Sequence, residues 1–502
     1  MAKFTFIDLF AGIGGFRMAL ESVGGQCVGF SEIAPDAIST YCLNYHEDSH
    51  ANLGDFTKIQ SLPAHNFLTG GVPCQSWSIA GKNLGFDDSR GQLWNDALYL
   101  LSVSKPDVFI FENVKGLADP RNISALSFIM STIREVGYFA EYFLLNAYDY
   151  GVPQNRIRIY IIGFKEKKFF DRFSLPVKHP ANSILSEIIC NEKDVSLERI
   201  SQEAGKQSMS ANSNGLNDYF LFNDLRSGST TIHSWDLIET NAKEKSICML
   251  LLQNRRKRIY GHLDGNPLSL RHFQALDPNI TQSDIDGLIL KGILKEERYI
   301  YQVSPEVLNY DEPWVKILSK YHLSEINIDI LKSDREFKVA KINISSLLEH
   351  LCTSGLACCI EIRYDFKNTK ISTGLNGINR IFLPSSRIYP TLVASDTNDY
   401  ITDVFIDGKT PDIYKANFLR EVYLKGRYRQ ISKEEACSIQ GFPRDFVLPN
   451  SRARWMKLIG NSVAVTLIRQ LAQSVVNTGV FDERDYIQNS SLNNQSFQMS
   501  LF

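Results

Sequence analysis

The sequence contains no run of eighteen apolar residues, so no segment reads as a membrane-spanning helix. Its N-terminus, MAKFTFIDLF, lacks the basic region, apolar run and small-residue cleavage site that together mark a secretory signal. Nine cysteines are scattered without paired spacing, and the adjacent Cys358 and Cys359 suit neither a bridge nor a zinc knuckle. That usage predicts a reducing, cytoplasmic setting, where the Asn-x-Ser/Thr sites at Asn122 and Asn343 carry no meaning. Charge of one sign is also missing. A formal net charge of −2 excludes a generally basic coat and leaves a local patch as the route to nucleic acid. No Gly-Lys-Ser/Thr follows the N-terminal glycine loop, which excludes a P-loop. What is present is 502 residues, 44% of them hydrophobic, enough core for two or three domains.

The first 165 residues read as an α/β domain. KFTFIDLF is a short apolar strand, followed by AGIGGF and a helical stretch, RMALESVG. GQCVGFSE is a second strand ending in Glu32, and PDAISTYCLNY is a helix opened by Pro35. HNFLTGG and PDVFIFENV are further strands, and RIRIYIIGF alternates and then runs apolar. Strands alternating with helices imply a mostly parallel sheet.

Gly12, Gly14 and Gly15 allow the backbone to approach a ligand at the N-terminus of the following helix. The loop departs from the dinucleotide fingerprint because Arg17 stands where the third glycine belongs, and a plain tight turn explains such a loop equally well. Glu32, at the tip of the second strand, can accept hydrogen bonds from both hydroxyls of a ribose. Asp55, in NLGDF, is expected at the end of a third strand, where it can accept from an adenine amine. Together these residues suit an adenosine-containing cofactor without saying which one. HEDSH, His46–His50, matches a zinc-protease pattern formally. Asp48 and Ser49 are poor helix-interior residues, so a polar loop is the better reading.

GGVPCQSWS, Gly70–Ser78, is the most informative segment. Cys74 follows Pro73 in a short loop after a strand, where a cysteine with no disulfide role is a candidate nucleophile. A buried thiol packed as a small hydrophobe is the plain alternative. Glu112, in FENV, ends a strongly apolar strand, and the C-terminal tip of a central strand is where open sheets place chemistry. A helix cap or ion pair is its alternative. In PQNRIRIY, the alternation of Gln154, Arg156 and Arg158 predicts all three on one strand face. Two arginines there suit an anion or a base edge.

DLFAGIGGF, GGVPCQSWS, FENV, QNRIRIY, YRQISKEEACSIQGFP and IGNSVAV occur in that order. Together they closely resemble the ordered blocks of the cytosine-5 DNA methyltransferases, chiefly those of bacterial restriction–modification type. The match covers residues 1–165 and 385–478. The resemblance implies a Rossmann-like, S-adenosylmethionine-dependent methyltransferase domain with a smaller target-recognition domain. It implies that Cys74 attacks carbon-6 of a cytosine flipped out of the duplex, and that Glu112 engages ring nitrogen N3. Arg158 and Arg156 would hold the cytosine carbonyl and orient Glu112. Phe10, Gly12, Gly14, Glu32, Ile33, Asp55 and Phe56 would line the cofactor site, with Leu93 from SRGQLW and Asn461, Ser462 and Val463 from the far end of the chain. No metal is implied. The chemistry agrees with the residues: a thiol of pKa about 8.5 is only a few per cent ionised at neutral pH, so such a site must favour thiolate.

The resemblance divides the chain into a catalytic domain (1–165), a target-recognition region (166–430), the end of the small domain with a helix returning to the catalytic domain (431–480), and a disordered tail (481–502). Within the recognition region, LSLRHFQAL and TQSDIDGLILKGIL read as two short helices. Thr281 with Asp284 forms a cap, Gly292 a stop, and ERYIYQV a strand: a winged-helix-like insertion near 265–305. QNRRKR, Gln253–Arg258, is the sharpest basic cluster and a candidate for phosphate contact. Arg429, Glu435 and Gln440 read as scaffold. The final QMSLF, Gln498–Phe502, resembles a motif that docks bacterial proteins on the replication sliding clamp. The implied partners are double-stranded DNA, a cognate restriction endonuclease acting on the same site, and that clamp, for a cytoplasmic monomer acting on DNA. A tRNA cytosine-5 methyltransferase and a non-catalytic DNA-binding module are the alternative readings. The recognised DNA sequence is not legible in these residues.

Overall fold

The computed structural model describes residues 2–73, 93–180, 185–189 and 218–482. It divides into two compact units, one formed by residues up to Tyr219 together with those from Ile381 onward, the other by Phe220–Arg380. Among the described residues, no helix is long and apolar enough to cross a membrane.

The first unit is built on a six-stranded sheet. β1 (Phe4–Leu9) is buried almost throughout, as a strand covered on both faces must be. There follow α1 (Gly15–Glu21), β2 (Gly25–Ser31), α2 (Pro35–Tyr45), β3 (Phe67–Gly71), α3 (Leu93–Ser104), β4 (Val108–Val114), α4 (Ile123–Glu135), β5 (Phe139–Asn146) and β6 (Ile157–Phe164). The strand order is β2-β1-β3-β4-β6-β5. β1 runs parallel to β2 and β3, and β3 parallel to β4, while β6 is antiparallel to β4 and β5. The chain steps from β1 out to β2 and then back past β1 to β3. The topological switch of this Rossmann-like sheet therefore lies beside β1, and the carboxyl ends of its parallel strands are where a ligand crevice forms. Alternate side chains feed two cores: Phe4, Phe6, Phe67 and Ile110 on one face, Ile7, Leu9, Leu68 and Phe109 on the other.

The second unit holds two hydrophobic cores joined by one long ladder. α5 (Ala242–Asn254), α6 (Leu270–Leu276) and α7 (Gln282–Leu290) lead into β7 (Leu294–Val303). α8 (Pro313–Leu318), β8 (Ile326–Asn327), α9 (Ile328–Ser333), α10 (Arg335–Val339) and α11 (Ile344–Thr353) lead into β9 (Ala357–Phe366). β7 lies between β8 and β9 and is antiparallel to both. Thr281 and Asp284 close a capping box at α7, and Gly292, with φ 72, stops that helix. The basic run Gln253–Arg258 is not a uniform cationic surface. Arg255 is buried and pairs with Asp365 at 2.9 Å, leaving Arg256, Lys257 and Arg258 exposed. Burial pushes the Asp365 carboxyl up to about 6 in spite of that arginine.

The chain returns to the first unit through α12 (Lys433–Gln440), α13 (Arg452–Asn461) and α14 (Val465–Val476). The amphipathic stretch from Ser462 becomes helical only at Val465, because Ser462 and Ala464 hold extended backbone. Val465, Leu467, Ile468, Leu471, Ala472 and Val475 are buried and join the core that includes Phe16, Ala19 and Leu20 of α1. Each leucine or isoleucine so buried contributes about 1.5–3 kcal/mol relative to exposure. The block Tyr428–Pro443 belongs to the first unit. There Ser432 and Glu435 cap α12, and Arg429 grips both Glu435 oxygens at 2.6 and 2.8 Å. The second unit thus spans less of the chain than the 166–430 marked out from sequence.

Candidate active site

A tight loop follows β1. Phe10, Gly12 and Gly14 have φ of 53, 56 and 85, so the backbone turns left-handed just before α1. Glu32 ties this loop to the tip of β2. Its Oε2 accepts from the Gly12 amide at 2.9 Å, and its Oε1 accepts from the Ile33 and Ala34 amides, both at 2.8 Å. Asn52 holds Glu32 in turn, accepting from its amide at 3.1 Å and donating to its carbonyl at 2.9 Å. Ile33 is 68% exposed beside this loop. The Phe10 and Phe56 rings are 4.4 Å apart.

Asp55 does not end a strand. Its segment meets β2 through a single bridge, Phe30 to Asn52, and Gly54, with φ 78, then turns the chain away. Asp55 instead caps the short turn Phe56–Lys58, accepting from the Thr57 amide and hydroxyl, with Lys58 Nζ at 3.1 Å. The Thr57 hydroxyl and Lys58 hold its carboxyl below the usual range, so it stays an ionised acceptor. The third strand is β3. His46 lies beyond the end of α2 with φ 51, so His46 and His50 share no helix face.

The far end of the chain closes on the same loop. A Cβ on Gly15 would lie 2.8 Å from both Ser462 Oγ and Val463 Cγ2, so only glycine lets these residues approach. Ser462 and Val463 are buried, Asn461 is exposed at the end of α13, and Leu93 is half-buried at the start of α3.

Three residues that shape this loop were not singled out from sequence. The Tyr45 hydroxyl donates to the Gly14 carbonyl at 2.6 Å. Arg17, noted only as a missing glycine, is buried over the Tyr41 and Tyr45 rings and pairs with Glu21 at 2.8 Å and Glu47 at 2.7 Å. Asp8 is fully buried inside β1, and burial pushes its carboxyl well above the usual range against the opposing pull of the Arg17 backbone amide and charge. An acid in the middle of FTFIDL was the available signal for Asp8. Nothing local marks Tyr45.

The second cluster lies at the ends of β3 and β4. Glu112 sits opposite Gly71 on β3 and Tyr160 on β6. A Cβ on Gly71 would lie 3.8 Å from Glu112 Oε2, so the carboxylate overhangs the strand end that leads through Val72 and Pro73 to Cys74. Arg158 Nε stands 3.2 Å from Glu112 Oε1, and both side chains are largely buried. Asn113 Nδ2 donates to the Val72 carbonyl at 3.1 Å, pinning the start of the cysteine loop. Cys74, the Ser76–Ser78 segment and residues 89–92 lie outside the described residues.

Arg156 does not join Arg158. β6 begins only at Ile157, so strict alternation fails before it. The Arg156 guanidinium is buried and donates to the carbonyls of Leu392 (3.1 Å), Gly460 (3.1 Å) and Ser462 (2.5 Å). Gln154 bonds Gln440 at 2.8 Å, and Gln440 donates to Ser462 O at 2.7 Å. These polar groups fix the C-terminal segment rather than the carboxylate.

The family described as C-5 cytosine-specific DNA methylase matches residues 4–477. The Type II methyltransferase M.HgiBI of Herpetosiphon aurantiacus is 37% identical over 497 residues, covering 96% of this chain and 99% of its own. M.HgiCII from the same organism is 38% identical over 496 residues, with the same coverage of both chains. M.HhaI of Haemophilus parahaemolyticus is 40% identical over 192 residues, 38% of this chain and 58% of its own. With its glycine loop, Glu32 and the Glu112–Arg158 pair arrayed at the carboxyl edge of the sheet, this chain belongs to the C-5 cytosine-specific DNA methylase family and is an S-adenosylmethionine-dependent transferase that methylates cytosine in DNA.

Proposed function

We propose that Cys74, Glu112 and Arg158 act on a cytosine turned out of the duplex. The observation that carries this reading is Glu112, held by Arg158 over the strand end that leads to Cys74. The Cys74 thiolate bonds to carbon-6 while Glu112 hydrogen-bonds or protonates N3, which makes carbon-5 an enamine nucleophile. S-adenosylmethionine supplies the methyl group. A base, which water can serve as, then removes the carbon-5 proton, and the thiolate leaves by elimination. Arg158 holds Glu112 and the cytosine carbonyl. Arg156, which donates to the Gly460 and Ser462 carbonyls, acts as a positioning residue for that segment.

The cofactor residues in this reading are Phe10, Gly12, Gly14, Glu32, Ile33, Asp55, Phe56, Leu93, Asn461, Ser462 and Val463. The loop fits such a group. A Cβ on Gly12 would meet nothing closer than Phe10 O at 4.0 Å, so open space lies over the backbone there. Glu32 Oε2 keeps a lone pair for a ribose hydroxyl beyond the Gly12 amide it accepts, whereas Oε1 already accepts from two amides. We further infer a place in a restriction–modification system with a cognate endonuclease, a monomeric enzyme working on DNA in the cytoplasm, and clamp docking by Gln498–Phe502, which lies outside the described residues.

The test is methyl transfer from labelled S-adenosylmethionine to duplex DNA and, separately, to tRNA, comparing the native chain with Cys74→Ser. Cys74-dependent label at cytosine carbon-5 within one short DNA sequence is expected. Label confined to tRNA would overturn the DNA reading. Deleting residues 497–502 should abolish clamp binding and leave methyl transfer intact.

A further inference from the structure

The second unit contains the same structural passage twice. α7 ends with the Gly292 amide donating to Ile289 O at 2.8 Å and the Ile293 amide to Leu288 O at 3.0 Å. α11 ends with the Gly355 amide donating to Cys352 O at 3.1 Å and the Leu356 amide to Leu351 O at 2.8 Å. Gly292 and Gly355 have φ of 72 and 71. The strands that follow, β7 and β9, pair antiparallel with each other, and each copy's closing bond matches: Lys367 N to Ile293 O at 2.9 Å, Ser304 N to Leu356 O at 2.7 Å. The edges match too. Leu268, just before α6, bridges to Tyr364 of β9, and Ile326, just before α9, bridges to Tyr301 of β7. Moving from Gly292 to Gly355 carries Ile285 onto Leu348, Leu288 onto Leu351 and Tyr301 onto Tyr364. The first members of the helix pairs lie in one core and the second members in the other. The first copy runs helix, edge bridge, helix, helix, strand; the second keeps that order with α9 and α10 standing in the place of the single α6, and each copy supplies the other's second long strand. That order is the arrangement of a winged-helix module.

The copies have diverged in charge. Around the first, cations are largely neutralised: Arg271 pairs with Glu361 at 2.7 Å, Lys291 with Glu244 at 2.7 Å, and Lys243 with Asp284 at 2.6 Å. In the second, two anions beside the α9–α10 cations are already engaged. Asp334 caps α10 and accepts from the Tyr321 hydroxyl, and Glu336 pairs with Lys320. Lys332, Arg335, Lys338 and Lys341 recur at every third position across α9, α10 and the turn after α10. All four are exposed, and none makes an ion pair among the described residues. α11, whose Ser345, Ser346, Glu349 and His350 are exposed, begins just after Lys341 and shares the core of α9 and α10.

We propose that the second unit is an internally duplicated winged-helix-like pair, and that its second copy grips the phosphate backbone of duplex DNA through Lys332, Arg335, Lys338 and Lys341. This rests on the reading of the chain as a DNA-acting enzyme, which methylation of duplex DNA by the native protein tests first. The experiment measures binding of the full chain to a duplex carrying its methylated sequence, across a salt series. The variant combines Lys332→Gln, Arg335→Gln, Lys338→Gln and Lys341→Gln. Each lost phosphate contact should flatten the log–log salt slope by about 0.9, so a loss of about 3.6 is expected for the four, with affinity at physiological salt down about tenfold or more. Affinity for S-adenosylmethionine and the thermal midpoint should not change, since these side chains lie on the surface. A companion variant, Lys257→Gln with Arg258→Gln, removes exposed cations of the first copy. An unchanged slope in the fourfold variant, or a loss confined to the companion, would overturn the proposal.

Discussion

Arg156→Lys is the substitution that best separates positioning from catalysis. The native guanidinium donates to the Leu392, Gly460 and Ser462 carbonyls from two nitrogens. A lysine keeps the charge, but its compact ammonium cannot span three acceptors placed for a planar fork. Losing two charge-assisted bonds at about 1.5 kcal/mol each removes about 3 kcal/mol, the lower end for bonds to charged groups. Some of this appears as a lower thermal midpoint. The rest is local disorder in the segment carrying Asn461, Ser462 and Val463, which the cofactor must then re-form. Calorimetric titration should therefore show S-adenosylmethionine binding weakened by about 10- to 100-fold, bounded by the rule that 1.4 kcal/mol is tenfold. The turnover number at saturating cofactor should stay close to native. A collapsed turnover number with unchanged cofactor affinity and midpoint would refute the reasoning and return Arg156 to the cytosine.

Tyr45→Phe removes the hydroxyl that donates to the Gly14 carbonyl, a bond worth about 0.5–1.5 kcal/mol. Cofactor affinity should fall about 3- to 10-fold with turnover at saturation preserved, a split that steady-state kinetics resolves. Gly14→Ala should cost more, because φ is 85 there and the new Cβ would lie 2.3 Å from Tyr45 Cε2. Its penalty should be clearly non-additive with Tyr45→Phe when cofactor binding is titrated in the double variant. The raised Asp8 carboxyl supports the fold while protonated, and that support is lost as pH rises from its ordinary 3.8 through the raised folded-state value. Asp8→Asn, neutral at every pH, should therefore gain stability relative to native as pH rises. Unfolding curves from pH 5 to 9 showing a constant difference would count against it.

The sequence by itself determined the chemistry and most local structure. Apolar runs became β1, β3 and β4, since burial on both faces demands nearly continuous apolar side chains. Thr281 and Asp284 wrote their own cap, the ordered blocks named Glu112 and Arg158, and the tip of the second strand named Glu32, because these signals need only near neighbours. Tertiary structure decided what depends on distant partners. Arg156 and Arg158 look alike in QNRIRIY. Only the returning segment at Gly460–Ser462 draws one arginine away, while Glu112 on the neighbouring strand keeps the other. Asp55 left its expected strand because Gly54 turns the chain after a single bridge. Arg255 left the basic run because Asp365, far along the chain, pairs with it in the core. The duplication in the second unit is equally silent in sequence. Its two halves share helix ends, edge bridges and core positions rather than residue identities, and apolar side chains of similar size fill such positions interchangeably.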